Sequence, residues 1–320
     1  MPHGGGRIRP KTREAAKIMK WIDPTVELVA CGSSAPDLPT YPEWDRIILE
    51  HTYHHVEYIS LHRYYSENGR KSDYLASFVD MDNFIRTSIA TADYVKGKLR
   101  GKKDIMLSFD EYNVACHKFF EDSEKWIYAR SVAEGYFCVL DALAFGGLLC
   151  TLINHADRVK IACVAQLVNV SPPISTQRGG RAIKQTIFYP FMHASHFAKG
   201  VSLLPVLHCH NVPTETRGEI KALHTAVSYD EKRGSVSLFI LNCDTAEDIA
   251  LRVDMRSFGE CEINEHIVLD SKDDIYEHNS FEHPGRVKPR NMPLDRKTGS
   301  LFDINIPRLS WNVIRIGIRT

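Results

Sequence analysis

The sequence predicts a two-part chain, an α/β region of parallel strands followed by an all-β antiparallel sandwich, and three observations carry that expectation. From Lys11 to about Gln185, short β-branched or apolar runs alternate with longer segments of helical period. After Gly200 the runs become short and alternate apolar with polar residues, and no helical period lies between them. The length of 320 residues suits about two domains, and 43% apolar with 25% charged residues is globular rather than disordered or fibrous.

The elements follow in chain order. Gly4-Gly5-Gly6 with Arg7 and Arg9 has no strand before it and no G-K-[ST] after it, so it reads as a disordered start rather than a phosphate loop. It also lacks the apolar core of a secretory signal. A helix over Thr12–Trp21 is stopped by Asp23-Pro24, because proline cannot continue it. Strands are expected at Val26–Cys31, Val56–His62, Asp104–Phe109 and Val159–Ala165. Helices between them fall at Pro42–Thr52, Tyr74–Leu99 and Lys125–Asn154. The last contains the most apolar window, Gly135–Ile153, which holds Asp141 and Gly146-Gly147 and reads as a buried helix rather than a membrane span. Continuous hydrophobicity in the four strands fits a sheet covered on both faces, either half of a barrel or a small open sheet. Beyond Gly200, strands are expected at Val201–His208, Ala222–Tyr229, Ser235–Asn242, Ala250–Met255, Glu262–Leu269 and Phe302–Ile318, with 270–300 a long polar loop.

Charge and cysteine content exclude several classes. Forty basic residues balance forty acidic ones, so no global field draws in nucleic acid or an anionic membrane. Eight cysteines at scattered spacings, with no C-x-x-C pair, read as reduced thiols of a cytoplasmic protein, and Cys31 and Cys163 read as small core residues. His208-Cys209-His210 lacks further partners at metal-ligand spacing, and neither a metal nor a cofactor is expected.

In parallel α/β units, functional groups gather where strands end. Each predicted strand runs out through polar residues: Cys31-Gly32-Ser33-Ser34, His62-Arg63-Tyr64-Tyr65, Asp110-Glu111-Tyr112-Asn113 and Gln166-Leu167-Val168-Asn169. A carboxylate at the third end, walled by Tyr64, Tyr65 and Tyr112, suits a nucleophile beside a developing oxocarbenium centre. The plainer reading is a solvated pair, or a turn capped by Asp110.

Several runs in fixed order resemble the α-L-arabinofuranosidases of glycoside hydrolase family 51. They are M-K-W-I-D-P at Met19–Pro24, Y-I-S-L-H-R-Y-Y at Tyr58–Tyr65, S-F-D-E-Y-N-V at Ser108–Val114 and K-I-A-C-V-A-Q-L-V-N-V at Lys160–Val170. Q-T-I-F-Y-P-F-M-H-A-S at Gln185–Ser195 and L-S-W-N-V-I-R at Leu309–Arg315 extend the match. The resemblance implies the C-terminal half of a (β/α)8 TIM barrel over residues 1–195, strands five to eight, and a jelly-roll-type β-sandwich over 196–320. It implies retaining hydrolysis of terminal α-L-arabinofuranosyl groups from arabinan or arabinoxylan oligosaccharides, in a family whose members often assemble into oligomers. Glu111 matches the nucleophile, and His62, Tyr64, Tyr112, Asn113 and Gln166 fall at substrate-binding positions. The family's acid/base glutamate lies in a G-N-E motif after the fourth strand, and no G-N-E occurs in this sequence, whose first acidic residue is Glu14. Its tryptophan after the nucleophile is Tyr112 here, and a second aromatic is Ala115. The expectation is therefore a chain that begins after the acid/base and has impaired activity. The rivals are a non-catalytic remnant that binds arabinosyl oligosaccharides or serves as an assembly partner, and a true start upstream of Met1.

Overall fold

The protein is described here from a computed structural model, which defines residues 5–118, 126, 128, 134–271, 274–294 and 298–319. They group into two compact units, one drawn from 1–64, 79–113 and 155–165, the other from 65–78, 114–154 and 166–320.

The first unit opens with helix α1, Gly5–Ile22, which includes Pro10. Gly5 and Gly6 are thus helical rather than disordered, while Gly4 lies outside the described residues. Pro10 sits near the start of the helix, where its missing N–H removes a single bond. As expected, α1 stops before Asp23-Pro24, and Asp23 Oδ1 accepts from the Thr25 N–H and hydroxyl. Strand β1 (Val29–Ala30), helix α2 (Glu43–Thr52) and strand β2 (Tyr58–Tyr65) follow. The expected helix over Tyr74–Leu99 is two helices divided at Ala76: α3 (Lys71–Leu75), whose residues belong to the second unit, and α4 (Ser77–Lys98), which belongs to the first from Val79 on. Strand β3 runs over Met106–Val114, five residues beyond the expected end at Phe109.

The sheet is completed by β4, Val159–Val164, and its spatial order is β1-β2-β3-β4. The pairs β1/β2 and β3/β4 are parallel. A doubly wound sheet reverses direction at a switch point, whereas sequential parallel neighbours joined by helices have barrel connectivity. The region is therefore a barrel portion rather than a small open sheet. Gly32 permits the close approach of the chain to β2, since a Cβ there would lie 2.1 Å from the Ser60 carbonyl oxygen. Phe84 of α4 meets Phe109 of β3 edge-on at 6.0 Å, and Phe109 meets Tyr112 at 5.9 Å, so this side of the sheet is an aromatic core. Cys31 and Cys163 are exposed rather than in the core, which corrects the reading from hydrophobicity: the opposite side of these strands is open.

In the second unit, helix α5 begins at Val139 and ends at Asn154. The sequence placed its start at Lys125, which lies outside the described residues together with 129–133. Ahead of α5, Gly135–Tyr136 forms a short strand against His117–Lys118. The helix is capped at its first turn by Asp141, whose Oδ2 accepts the Cys138 N–H at 2.7 Å. Among the described residues no helix is long and apolar enough to cross a membrane. A further helix, α6 (Phe188–Phe197), was not anticipated.

The sandwich strands are β5 (Val201–Leu203), β6 (Leu223–Asp230), β7 (Ser235–Asn242), β8 (Ile249–Asp254), β9 (Cys261–Asp270), β10 (Leu301–Ile306) and β11 (Ser310–Ile318). The run expected as one strand over Phe302–Ile318 is two, parted at Pro307 and at Leu309, which has φ of 42°. The main sheet runs β9-β11-β7-β6-β5 with antiparallel pairing throughout, and β8 with β10 forms a separate ribbon. Val236, Leu238 and Ile240 of β7 join Phe302, Ile304 and Ile306 of β10 in one apolar core. On the other face of β7, the Phe239 ring stacks on Trp311 and its carbonyl accepts from the Cys150 thiol of α5. Burial on both faces explains the continuous apolar stretch Leu238–Leu241 in β7, while β10 alternates cleanly. A Cβ on Gly146 would lie 2.5 Å from the Trp311 ring, so the glycine lets α5 lie against the sheet.

Candidate active site

The open side of the first unit is built from the alternation of β2. Tyr58, Ser60, His62 and Tyr64 share one face of the strand, while Ile59, Leu61 and Tyr65 are buried on the other. Arg63 is held by Asp80, whose Oδ2 accepts from Nε at 2.9 Å.

Next to it, β3 departs from regular alternation. Phe109 is paired with Ala162 and Tyr112 with Val164, so three steps on β3 oppose two on β4. That is a β-bulge with one extra residue. The burial sequence follows: Phe109 and Tyr112 are fully buried, and the two residues between them, Asp110 and Glu111, are both half-exposed. In a regular strand consecutive carboxylates would point to opposite faces, whereas the bulge brings both toward His62.

The contacts form a connected group. Ser60 Oγ donates to Asp110 Oδ1 at 2.6 Å, and His62 Nε2 lies 3.1 Å from the same oxygen. The other imidazole nitrogen, Nδ1, is 3.6 Å from Glu111 Oε2. The Tyr64 hydroxyl donates to Glu111 Oε1 at 3.1 Å. Burial first, and the Glu111 carboxylate second, push the Tyr64 hydroxyl up to about 12, so it stays protonated and acts as a donor at neutral pH. Glu111 thus has one oxygen on a phenol and the other beside an imidazole, a setting that orients a carboxylate oxygen for attack.

His62, Tyr64 and Glu111 are brought together as the sequence anticipated. Tyr112 is not a wall of this site, because the bulge turns its ring into the core against Phe109. Asn113 is also buried, and its Nδ2 donates to the Ala165 carbonyl at 2.8 Å, tying β3 to the end of β4. Gln166 is exposed two residues beyond β4, in the second unit, with its N–H on the Val170 carbonyl. Asp110 lies within the strand and caps no turn. Ser60 was missed by the sequence reading, although the polar alternation Tyr58, Ser60, His62, Tyr64 contains it. His208, Cys209 and His210 do not converge: His210 pairs with Asp244 at 2.7 Å, and Cys209 packs against the sandwich core.

Residues 110–310 match the family model described as the α-L-arabinofuranosidase C-terminal domain. The chain is 44% identical to an intracellular exo-α-(1→5)-L-arabinofuranosidase of Acetivibrio thermocellus, over 98% of this chain and 62% of the relative. It is 45% identical to an intracellular exo-α-(1→5)-L-arabinofuranosidase of Bacillus subtilis, over 95% of this chain and 61% of the relative. The chain therefore spans about three fifths of the length of these curated relatives. Among solved structures, a family 51 α-L-arabinofuranosidase of Bifidobacterium longum superposes with a TM-score of 0.86 at 31% identity, over 96% of this chain and 63% of that one. The arabinose complex of a Thermotoga maritima α-L-arabinofuranosidase shares the fold, with a TM-score of 0.78 at 19% identity over 96% of this chain and 61% of that one.

Proposed function

Because this chain belongs to the family 51 α-L-arabinofuranosidases and carries their C-terminal domain, we propose that Glu111 is the nucleophile of a retaining arabinofuranosidase centre. The observation that supports this most is the bulge in β3, which presents Glu111 to both Tyr64 and His62. In the first step a Glu111 oxygen attacks the anomeric carbon of a terminal α-L-arabinofuranosyl group, the bond to the leaving oxygen breaks, and a glycosyl-enzyme forms. Tyr64 fixes the carboxylate and holds its second oxygen by a hydrogen bond. His62, anchored on Asp110 and Ser60, keeps the imidazole directed at Glu111. Asp110 Oδ1 already accepts from Ser60, which suits positioning rather than proton donation. By its position in the motif, Gln166 matches a sugar-contacting glutamine of the family. The substrates are terminal arabinofuranosyl groups of arabinan or arabinoxylan oligosaccharides, met in the cytoplasm.

The G-N-E motif of the family's acid/base is not within these 320 residues. A retaining mechanism needs a second carboxyl about 5–5.5 Å from the first to protonate the leaving group. We therefore expect this chain to form the glycosyl-enzyme only from substrates whose leaving group needs no protonation. With an aryl arabinofuranoside bearing a good leaving group, mass spectrometry should find an arabinosyl adduct on Glu111, and added azide should accelerate turnover. Absence of both the adduct and the azide effect overturns the catalytic reading. Arabinosyl-oligosaccharide binding that survives Glu111→Ala, in a chain with neither, favours a binding module.

A further inference from the structure

The second unit contains a side-chain cluster that the proposed glycosidase chemistry does not use. His117, Cys138 and Asp141 place one imidazole nitrogen, one sulfur and one carboxylate oxygen within 4.8 Å of one another. His117 Nε2 is 3.2 Å from Asp141 Oδ2 and 3.9 Å from Cys138 Sγ. A tetrahedral zinc ion with bonds of ~2.0–2.3 Å spaces such ligand atoms about 3.3–3.7 Å apart. The cluster therefore needs only small side-chain adjustments to close on a cation.

We propose that His117, Cys138 and Asp141 form a binding site for a borderline-soft divalent cation of the zinc type. The donor set argues for that class, since thiolate with imidazole selects zinc over the hard cations magnesium and calcium. As thiolate and carboxylate ligands, Cys138 and Asp141 would supply two negative charges that match a divalent cation. Outer contacts already orient the ligands. The Tyr74 hydroxyl donates to Asp141 Oδ1 at 2.7 Å, and the Cys138 N–H donates to Oδ2, leaving that oxygen a second lone pair. The His117 ring is stacked on Tyr136 at 5.0 Å, which in turn stacks on His278 at 4.0 Å. Cys138 and Asp141 are buried while His117 is half-exposed, so the cation has an entry side and a fourth position for water. Bound there, it would cross-link the segment that follows β3 to the first turn of α5.

The test uses the full chain, freed of metal by chelator and titrated with cobalt(II) or zinc(II) alone. We expect one cobalt ion per chain, a near-ultraviolet thiolate-to-cobalt charge-transfer band, and displacement by zinc. Cys138→Ser retains a good N-cap residue and so keeps α5 capped. It should abolish the charge-transfer band and weaken binding by at least ~100-fold, with an unchanged far-ultraviolet circular dichroism spectrum. His117→Asn should weaken binding comparably, and Tyr74→Phe by about tenfold, through loss of an outer-shell contact. Cys116→Ser, at the neighbouring thiol, should leave both the band and the affinity unchanged. Substoichiometric binding, a cobalt spectrum without thiolate character, or loss of the band in Cys116→Ser rather than Cys138→Ser overturns the proposal.

Discussion

His62 stands between two carboxylates, and its two ring nitrogens address different residues, Asp110 and Glu111. On the proposed mechanism, Tyr64→Phe removes a phenolic donor to Glu111 and should slow formation of the glycosyl-enzyme by about tenfold, the value of one hydrogen bond to a charged group. The burst rate with an activated aryl arabinofuranoside reads this directly. A second residue-scale expectation concerns Asp45 on α2, which is buried with Ser33 bonded to its Oδ1 at 2.7 Å. Burial raises its carboxyl to about 6. A carboxyl whose folded value lies above its unfolded value stabilises the fold at low pH, and that stability is lost as pH rises from about 4 through 6. Asp45→Asn should therefore flatten a loss of up to ~3 kcal/mol between those limits, measured by urea unfolding at pH 4 and pH 7.5. At this scale His62, Tyr64 and Glu111 were legible from strand position and motif. Tyr112 was misread because the strand was expected to end at Phe109, which left Tyr112 at the strand's polar end, whereas the strand continues to Val114 and its extra residue turns the ring inward.

At the scale of elements, two glycines set how closely neighbours approach. Gly146→Leu would drive a side chain into the Trp311 ring, and Gly32→Ala would press a methyl against the Ser60 carbonyl. Each should cost about 1–3 kcal/mol, seen as a lowered urea midpoint with an unchanged slope. Ser235–Asn242 was legible to the residue because its apolar run is bounded by a turn at Gly234, whose φ is 57°. Val201–His208 shrank to Val201–Leu203, since hydrophobic alternation persists through residues that find no ladder partner. The single helix expected over Tyr74–Leu99 breaks at Ala76, a residue with no helix-breaking character of its own. The glycine pair in α5 looked like an argument about membranes and is one about packing.

For the molecule as a whole, the two units differ in how their sheets are covered. The sandwich sheet is buried on both faces at β7, whereas the barrel portion has one face lined by half-exposed polar side chains. The first unit should therefore unfold at lower denaturant concentration. Trp44, whose Nε1 donates to the Cys31 carbonyl, and Trp311, fully buried in the sandwich, report the units separately in single-tryptophan variants. Coincident midpoints would show one cooperative transition instead. The division into a barrel portion and a sandwich was legible from the change in texture at Gly200. The assignment of 65–78 and 114–154 to the sandwich unit was not, because it depends on which sheet α5 covers. The bulge in β3 also bears on how sequences of this kind can diverge. Alanine scanning across 109–112 tests side-chain chemistry but never the residue count. Deleting either acidic residue would restore regular alternation, leaving one carboxylate facing His62 with Tyr112 still in the core. The extra residue is thus what sets two carboxylates rather than one beside His62, and a one-residue deletion separates that role from the chemistry of Glu111.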